Sequence, residues 1–347
     1  MTLRSSRVQV EDTPEAIDDL FRSRRWSDGL PIVPPTEARV VAMLGGARDD
    51  PERSLGRVPP LWAEATVEKV AVNAVMAGCR PAYLPVLLAA MEALCDPAFN
   101  LYSIQATTHP VAPLLIVSGP IVGAIGLNAG PGVFGPGWQA NATIGRAIRL
   151  VLMNVGGAWP GDGDMATQGQ PGKYSYCIAE NQAANPWAPL HVDLGFDPAA
   201  SAVTVFGGEA PHNVNDHVSK TAGGVLGVVG QSMATLGSNA KWIMQDASYV
   251  VALGPEHAAT AALHGWTRQD VVSYLFDRAR LPAGQVRAQF DRVAWAPWMH
   301  AVDDHHLVPV TAHPDNIRVF VCGGAGKHSS VIPSWGMTKS VTLPIEP

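Results

Sequence analysis

The sequence has little charge. Of its 347 residues, only 24 are Lys or Arg and 30 are Asp or Glu, so charged side chains make up 16 % of the chain, where about 25 % is usual. The basic residues are scattered and the net charge is −6, which gives no positive field for a polyphosphate backbone. Nucleic acid is therefore not an expected partner. Because 47 % of the residues are hydrophobic, the sequence also excludes a disordered segment or a coiled coil.

Cysteine is scarce as well. The four cysteines are widely spaced and include no C-x-x-C pair, and they stand at Cys79, Cys95, Cys177 and Cys322. Neither a disulfide framework nor a structural zinc site is expected from this spacing. The first residues lack the apolar segment of a signal peptide. The sequence therefore predicts a protein of the reducing cytoplasm.

Glycine and proline, in contrast, are abundant, with 34 and 29 residues, which indicates many loops packed against a core. Many of them lie between Pro110 and Gly145, a stretch without a charged residue. Its first half is apolar enough to resemble a membrane span. Glycines and prolines at this density would leave backbone hydrogen bonds unsatisfied in lipid. The stretch is therefore predicted to be buried within the protein, and no membrane partner is expected.

The pattern of apolar residues predicts an α/β fold, with a mostly parallel sheet flanked by helices. Helices are expected after the caps Thr13, Thr36 and Thr66 and over residues 84–95. Later in the chain, five β-branched runs ended by glycine or polar residues alternate with helical patterns. The runs are residues 114–118, 174–179, 202–206, 249–253 and 317–322, and the helical patterns are residues 142–155, 220–236 and 267–279. No repeat of fixed period is evident. Residues 1–100 are predicted to form a helical subdomain and residues 101–347 an α/β domain, either separate or as one continuous unit.

Three predicted strands are each followed by glycine and then histidine within six residues. The histidines are His212, His257 and His328. Ligands in α/β sheets bind beyond the carboxyl ends of the strands, so His212 and His328 are candidate acid–base residues. For His257 the sequence favours a capping or solvated side chain at a helix start.

The loop that contains His212 also has the composition of a metal site. Imidazole and carboxylate ligands suit zinc, iron, manganese or nickel, and the candidate ligands are Glu209, His212, Asp216 and His217. The alternative is a polar loop whose side chains satisfy turn hydrogen bonds and cap the next helix. A second group of histidines and aspartates, at residues 300–306, is typical of a solvated surface loop. A divalent metal is the only cofactor that the sequence suggests.

Two glycine-rich loops are candidates for binding an anion. After the last run comes a loop with the candidate residues Gly323, Gly324, Lys327 and Ser329, whose backbone N–H groups and lysine would attract a carboxylate or phosphate. It lacks the Walker pattern, because His328 follows the lysine. The G-x-G-x-x-A match at residues 161–166 follows no predicted strand, so a dinucleotide site is not expected.

The second glycine-rich loop leads into the helical pattern that begins near residue 142. The helix start favours a negative group, Arg146 could clamp a carboxylate, and Trp138 could form a wall. Asn141 and Thr143 complete this set of candidate ligand-binding residues. The alternative is a tight packing loop whose glycines serve only the backbone geometry.

Cys177 is the candidate nucleophile. Strand alternation would place it on the same face as Lys173, and Glu180 follows the strand as a candidate general base. A cysteine activated by histidine or lysine is a nucleophile or redox thiol. Most lone cysteines are instead inert core residues, and the sequence leaves both interpretations open.

Five motifs resemble a bacterial family that is associated with the UGSC-motif (seleno)proteins, as neighbours or fusions. They are WSDGLPIVPPT (26–36), ATVEKVAVNAVMAGC (65–79), QATTHP (105–110), FGPGW (134–138) and LGPEH (253–257). The resemblance covers most of the chain and implies a thiol or selenol redox partner without an assigned reaction. This chain lacks the U/C-G-S-C motif itself. The resemblance also draws attention to His109, which Pro110 holds in an extended loop, either as a site residue or as a structural hydrogen-bonding group.

Together these patterns predict an enzyme that acts on a small polar molecule, with a carboxylate, by lyase or hydrolase chemistry. Cys177 or a metal held by His212 would supply the nucleophile or Lewis acid, and His109, His212 or His328 would move the proton. The alternative is a non-catalytic subunit or scaffold of a thiol or selenol redox system. In either case, low charge and apolar helices favour a homo-oligomer.

Overall fold

The computed structural model describes residues 3–236, 247–288 and 291–346. The α-helices are α1 (Pro14–Ser23), α2 (Glu37–Leu44), α3 (Val67–Ala77), α4 (Leu84–Cys95), α5 (Leu101–Gln105), α6 (Ile121–Ala124), α7 (Gln139–Asn154), α8 (Leu190–Asp193), α9 (Ala222–Leu236), α10 (Pro255–Leu263), α11 (Arg268–Arg278), α12 (Ala283–Arg287) and α13 (Pro297–Ala301). Short 3₁₀ turns cover Pro81–Tyr83, Pro171–Lys173, Arg292–Ala294 and Pro314–Asn316.

The strands are short, and most belong to two four-stranded sheets. They are β1 (Ser54–Val58), β2 (Ala63–Thr66), β3 (Ala112–Ser118), β4 (Trp159–Pro160), β5 (Gly163–Asp164), β6 (Cys177–Ala179), β7 (Ala202–Gly208), β8 (His212–Asn215), β9 (Tyr249–Leu253), β10 (Arg280–Pro282), β11 (Leu307–Pro309), β12 (Ile317–Val321), β13 (His328–Pro333) and β14 (Val341–Pro344). The pairs β1–β2, β4–β5 and β10–β11 form small separate sheets.

Local side-chain hydrogen bonds explain where several helices begin. Thr13 Oγ1 accepts the N–H of Ala16 at the start of α1, which satisfies a donor that the helix itself leaves unpaired. Thr267 and Asp270 form a reciprocal capping box at the start of α11. Gly78, with φ of 87°, ends α3 in the left-handed conformation that glycine adopts readily. The predicted helix positions in the first hundred residues are confirmed.

The two four-stranded sheets have the same pattern of strand directions. In the first sheet, β3 pairs in parallel with β6 and antiparallel with β7, and β7 pairs antiparallel with β14. In the second sheet, β9 pairs in parallel with β12 and antiparallel with β13, and β13 pairs antiparallel with β8. Four of these six pairings are antiparallel, so the prediction of a mostly parallel sheet is wrong, whereas the α/β class is confirmed.

Two segments of the chain form the two four-stranded sheets, and the strand that follows each segment pairs in the sheet of the other segment. Residues 112–208 supply three strands of the first sheet, and the next strand, β8, joins the second sheet. Residues 249–333 supply three strands of the second sheet, and the next strand, β14, joins the first. The two chain segments cross between the sheets side by side, where the N–H of Glu209 donates to the carbonyl of Pro333 at 2.9 Å. The fold therefore contains a repeated arrangement that the sequence does not reveal.

The two sheets pack face to face between two layers of helices. On β3, Leu114 faces the second sheet, where it shares a buried cluster with Ala252 of β9. The neighbouring Leu115 faces the opposite way and shares a core with α3, α4 and α7, as side-chain alternation in a strand requires. On β9, Val251 likewise faces α9 and α11. The layers therefore follow the order helices, sheet, sheet, helices.

The N-terminal helices are part of this arrangement. Val70 of α3 and Leu87 of α4 belong to the same buried cluster as Val203 of β7. Residues 1–100 thus cover the outer face of the first sheet, where they share a hydrophobic core with it. Among the described residues, none of the helices is both long and apolar enough to cross a membrane.

Candidate functional site

A cleft of about 280 Å³ lies at the edge of the second sheet, where β9 and β12 end and β13 begins. Two loops line it, residues 131–134 before α7 and residues 323–326 between β12 and β13. Because β9 and β12 are parallel, both carboxyl ends meet at this cleft. This is the position at which α/β sheets bind ligands.

Alternation along β13 decides which side chains reach the cleft. Val331 faces the helices that cover the second sheet, and Ile332 faces the first sheet. His328 and Ser330 share the parity of Ile332, so they lie on the inner face. Asn213 of β8 stands opposite Ser330 in the antiparallel register. The inner face therefore brings a histidine, a serine and an asparagine to the mouth of the cleft.

Two glycines allow the walls of the cleft to approach each other. A Cβ on Gly254, at the end of β9, would lie 2.0 Å from the carbonyl oxygen of His328. A Cβ on Gly324 would lie 2.4 Å from Cγ of Pro131 in the opposite loop. Both distances are far below van der Waals contact, so any side chain at either position would push the neighbouring backbone or proline ring away.

His328 is exposed and is held by two neighbours. Its Nδ1 lies 3.0 Å from Oδ1 of Asn213, and an amide oxygen only accepts hydrogen bonds, so Nδ1 carries the proton. In the neutral ring, Nε2 then holds a lone pair, and it lies 3.3 Å from Nε2 of His217. Asn213 thus fixes the tautomer that a general base at Nε2 requires.

The glycine-rich loop presents two unpaired backbone donors at the same cleft. The N–H of Gly323 donates to the carbonyl of Ala129, and the N–H of Gly326 donates to Oε1 of Glu256. Between them, the N–H groups of Gly324 and Ala325 have no acceptor among the described residues. These two donors are consistent with the predicted anion site at Gly323 and Gly324.

Lys327 and Ser329, the other predicted anion ligands, have other contacts. Lys327 Nζ lies 3.4 Å from the carbonyl oxygen of His217. The hydroxyl of Ser329 faces the helix layer, 2.8 Å from Nδ1 of His257, and accepts the N–H of Gly254. His257 is buried, and burial lowers its pKa, so the ring is neutral. Ser329 lines the cleft as predicted, but its hydroxyl is engaged in the protein and turned away from a ligand; His257 is a buried structural residue.

His109 lies at the crossing between the two sheets. Its Nδ1 accepts the N–H of Val111, so Nε2 carries the proton and donates to Oε1 of Glu209 at 3.0 Å. The indole of Trp335 stacks on the imidazole, with ring centres 5.9 Å apart. His109 is not among the residues that line the cleft, and its Nε2–H is paired with a carboxylate, so the prediction that His109 moves a proton at the cleft is not supported by this geometry.

Tyr176 links this pair to the cleft. Its hydroxyl donates to the carbonyl of Glu209 at 2.8 Å. Its ring lies against Phe134, with ring centres 6.3 Å apart, and Phe134 lines the cleft. The His109–Glu209 pair therefore supports a wall of the cleft from behind.

Cys177 is a core residue in this structure. It is 5 % exposed and belongs to the cluster beneath the N-terminal helices. Burial raises the pKa of its thiol far above the ordinary value, and a protonated thiol is a poor nucleophile. The prediction of a nucleophilic Cys177 is therefore wrong for the fold described here.

The thiol of Cys177 is expected to resist alkylation in the native protein. At neutral pH, iodoacetamide should modify it at least about 10-fold more slowly than Cys95, because burial raises the pKa of both thiols but only Cys95 is partly exposed to the reagent. Mass spectrometry of peptides from native and urea-unfolded protein measures the two rates. Equal rates for the two cysteines in the native protein would contradict this placement of Cys177.

Lys173 and Glu180 are each engaged elsewhere. Lys173 Nζ and Arg149 Nη2 both contact Oδ2 of Asp164, at 2.7 and 2.8 Å. Burial lowers the pKa of Lys173. Glu180 is fully buried; its carboxylate accepts the N–H of Leu190, and burial raises its pKa. Because Lys173 lies in a 3₁₀ turn rather than in β6, the predicted common face with Cys177 does not form.

The four predicted metal ligands do not come together. Glu209 pairs with His109, and His212 is exposed on the outer face of β8. The carboxylate of Asp216 accepts the N–H groups of residues 218 and 219, and His217 contacts His328. Within the described ranges, no cluster of three or more His, Cys, Asp or Glu side chains is arranged to hold a metal. The prediction of that four-residue site is wrong.

The candidate residues of α7 serve the fold rather than a ligand. Arg146 makes a bidentate ion pair with Asp28, with both distances 2.8 Å. Asn141 is buried and bonds to the backbone of Asn128. Thr143 donates to the carbonyl of Gln139, and Trp138 is exposed on the surface. The second proposed anion site is therefore wrong, because its arginine and asparagine are already satisfied within the protein.

Sequence reasoning missed most residues of the cleft. Among them are Phe134, Asn213, Cys322, Ala325 and Ser330. Cys322 is buried at its base, and burial raises the pKa of its thiol to about 12. The available signal was Ser330, two residues after His328 and hence on the same face of a strand. Recognising Asn213 requires the β8–β13 pairing.

A larger cavity of about 580 Å³ lies between α8, α11 and the start of β12. Its two arginines are already engaged with the protein. Arg268 pairs with Asp193 and donates to the carbonyl of Ala188, and Arg318 donates to the carbonyl of Asp315. The cleft beside His328 is the better candidate because it combines an oriented imidazole with unpaired backbone donors. Comparison with family models, curated proteins and solved structures found no match for this chain.

Proposed function

We propose that the protein is an enzyme that acts on a small carboxylate-bearing molecule by hydrolase or lyase chemistry, in the cleft beside His328. One observation carries this proposal: the lone pair on His328 Nε2 and the unpaired N–H groups of Gly324 and Ala325 belong to the same cleft. An oriented imidazole next to anion-binding donors is the arrangement that a proton transfer on an anionic substrate needs.

The residues of the cleft have distinct roles in this proposal. The N–H groups of Gly324 and Ala325 bind the carboxylate of the substrate, because neighbouring backbone donors in a glycine-rich turn attract anions. His328 removes or supplies a proton through Nε2, and Asn213 keeps Nδ1 protonated. Phe134 forms the apolar wall. No covalent intermediate is invoked, since the thiol of Cys322 is buried and protonated at neutral pH.

The size of the cleft limits the substrate. Pockets for drug-sized ligands measure about 300–1,000 Å³, and this cleft, at about 280 Å³, lies just below that range. It therefore suits a small metabolite rather than a nucleotide or a peptide. The net charge of −6 and the scattered basic residues agree with a substrate that is bound by neutral backbone donors instead of a basic patch.

Metabolite profiling tests the proposal directly. The purified chain is incubated with a bacterial metabolite extract, and mass spectrometry compares the extract before and after incubation. We expect depletion of at least one small carboxylate and the appearance of its hydrolysis or elimination product. The matched control is His264→Gln, which changes an exposed histidine at the end of α10, remote in sequence from the cleft loops.

Two outcomes would contradict the proposal. One is an extract that stays unchanged relative to buffer. The other is a turnover that is the same in His328→Gln as in the wild-type protein, which would show that the reaction does not use this cleft.

A further inference from the structure

His217 and His328 form a pair whose ring nitrogens converge on one point. The two Nε2 atoms are 3.3 Å apart, and the ring centres are 5.1 Å apart with planes at 76°. His328 begins β13, and His217 follows β8, the strand that crosses over from the first half of the chain. The exchange of strands therefore brings two imidazoles together from positions 111 residues apart in sequence.

These distances match those of two imidazoles bound to one tetrahedral metal ion. Zn–N bonds of about 2.0–2.1 Å at a tetrahedral angle hold the two nitrogens about 3.3 Å apart. Since the centre of an imidazole lies about 1.15 Å beyond its ligating nitrogen, the same ion places the ring centres about 5.2 Å apart. A straight N–H···N hydrogen bond of this length would place them about 5.6 Å apart. The observed 5.1 Å lies close to the metal value, and the N–H···N hydrogen bond that joins the two rings in the metal-free pair must be bent to reach it.

Asn213 supplies the second feature of a metal site. Metal-binding histidines almost always donate their other ring N–H to an oxygen acceptor, which fixes the tautomer and the ring orientation. His328 does so, because Nδ1–H donates to Oδ1 of Asn213 and Nε2 keeps its lone pair. In the metal-free pair, His217 must then hold the proton on Nε2. Metal binding requires only that this proton move to Nδ1 of His217, so two neutral rings lose no proton overall.

We infer that His217 and His328 bind one zinc ion, or a similar divalent transition metal, at the mouth of the cleft. Imidazole nitrogen is a good ligand for zinc, copper and nickel. Two protein ligands leave two tetrahedral positions open, which water or the substrate carboxylate can fill. The inference goes beyond the proposed function: Nε2 of a zinc-bound His328 has no lone pair left for proton transfer, so zinc at this pair would compete with the acid–base role of His328.

Zinc binding to the purified chain tests this inference. The protein is stripped with a chelator and dialysed against buffered micromolar zinc, and bound zinc is measured by elemental mass spectrometry. We expect one zinc per chain. Loss of a group that orients a metal ligand weakens binding by about 10–100-fold. His217→Gln and His328→Gln each remove a ligand itself, so each should weaken zinc binding by more than this. His212→Gln is the matched control, because it changes an exposed histidine on the other face of β8.

Asn213→Ala provides a second test that leaves both ligands in place. It should weaken zinc binding by about 10–100-fold, as expected for a group that orients a ligand. Asn215→Ala, two residues along β8, is the matched control and should leave the affinity unchanged. An effect of Asn213→Ala no larger than that of Asn215→Ala would contradict the orienting role.

The inference and the proposed function can fail separately. Absence of stoichiometric zinc, or zinc that persists in both His217→Gln and His328→Gln, would overturn the metal site. Zinc that is lost only when His305 and His306 are replaced would assign it to the surface loop at residues 300–306 and would overturn the site as well. In these cases, a metabolite turnover that depends on His328 would still support the proposed function. One zinc per chain, lost in both variants, supports the site even if no metabolite is consumed.

Discussion

Replacing His328 by glutamine is expected to lower the turnover of the carboxylate substrate by about 10²–10⁴-fold, the usual contribution of a positioned acid–base group. Glutamine is similar in size and keeps a side chain at the mouth of the cleft, but it has no lone pair of suitable basicity. The carboxylate should still bind, because the N–H groups of Gly324 and Ala325 are unchanged. The expected result is therefore a large fall in kcat with a small change in KM.

Steady-state kinetics on the metabolite found by profiling measures this effect. His264→Gln controls for the loss of an exposed imidazole elsewhere and should retain the wild-type kcat. A fall in kcat/KM caused only by a higher KM would show that His328 binds substrate without moving a proton. A kcat within a factor of two of the wild-type value would remove His328 from the reaction.

Gly254→Ala is expected to lower the free energy of unfolding by about 3 kcal/mol or more. The backbone at Gly254 has φ of −66°, which alanine adopts without strain. The cost arises instead from the new Cβ, which would lie 2.0 Å from the carbonyl oxygen of His328. Relief of this contact requires β13 to move away from β9, which breaks pairing in the centre of the second sheet.

Urea unfolding followed by circular dichroism measures the difference. The matched control is Gly123→Ala in α6, where a Cβ has no neighbour within 4 Å. That change should be neutral or stabilising by up to about 1 kcal/mol, because alanine restricts the unfolded chain. If the two variants differ by less than about 1 kcal/mol, the second sheet tolerates a shift of β13, and the close approach at Gly254 is not a constraint.

Local signals predicted the helices better than the strands. Thr13, Thr66 and Thr267 each cap a helix through a contact within three residues, so the sequence near each threonine contains the whole interaction. The strand pattern depends on distant partners. β8, β13 and β14 were not predicted: β8 and β14 pair with strands of the other sheet-forming segment, and the first residues of β13 were interpreted as part of an anion loop.

The same distinction applies to the cleft. His328 and the glycines at 323 and 324 were predicted because they follow a strand directly in sequence. Asn213 and His217 could not be assigned as partners of His328, because only the β8–β13 pairing brings them to it. Cys177 was a candidate nucleophile, with an inert core residue as the alternative, because a sequence does not show which face of a strand is covered. The redox partner and the homo-oligomer stay predictions.

The exchange of β8 and β14 also sets an order for folding during synthesis. The first sheet contains residues 112–208 but is complete only when residues 341–344 pair with β7. Until then, β7 has an unpaired edge, which can pair with other chains. The edge of β7 that β14 covers in the folded protein therefore stays unpaired while more than a hundred further residues are translated, and during this time it can aggregate. Expression at low temperature or with chaperones that shield strand edges should raise the yield of folded protein.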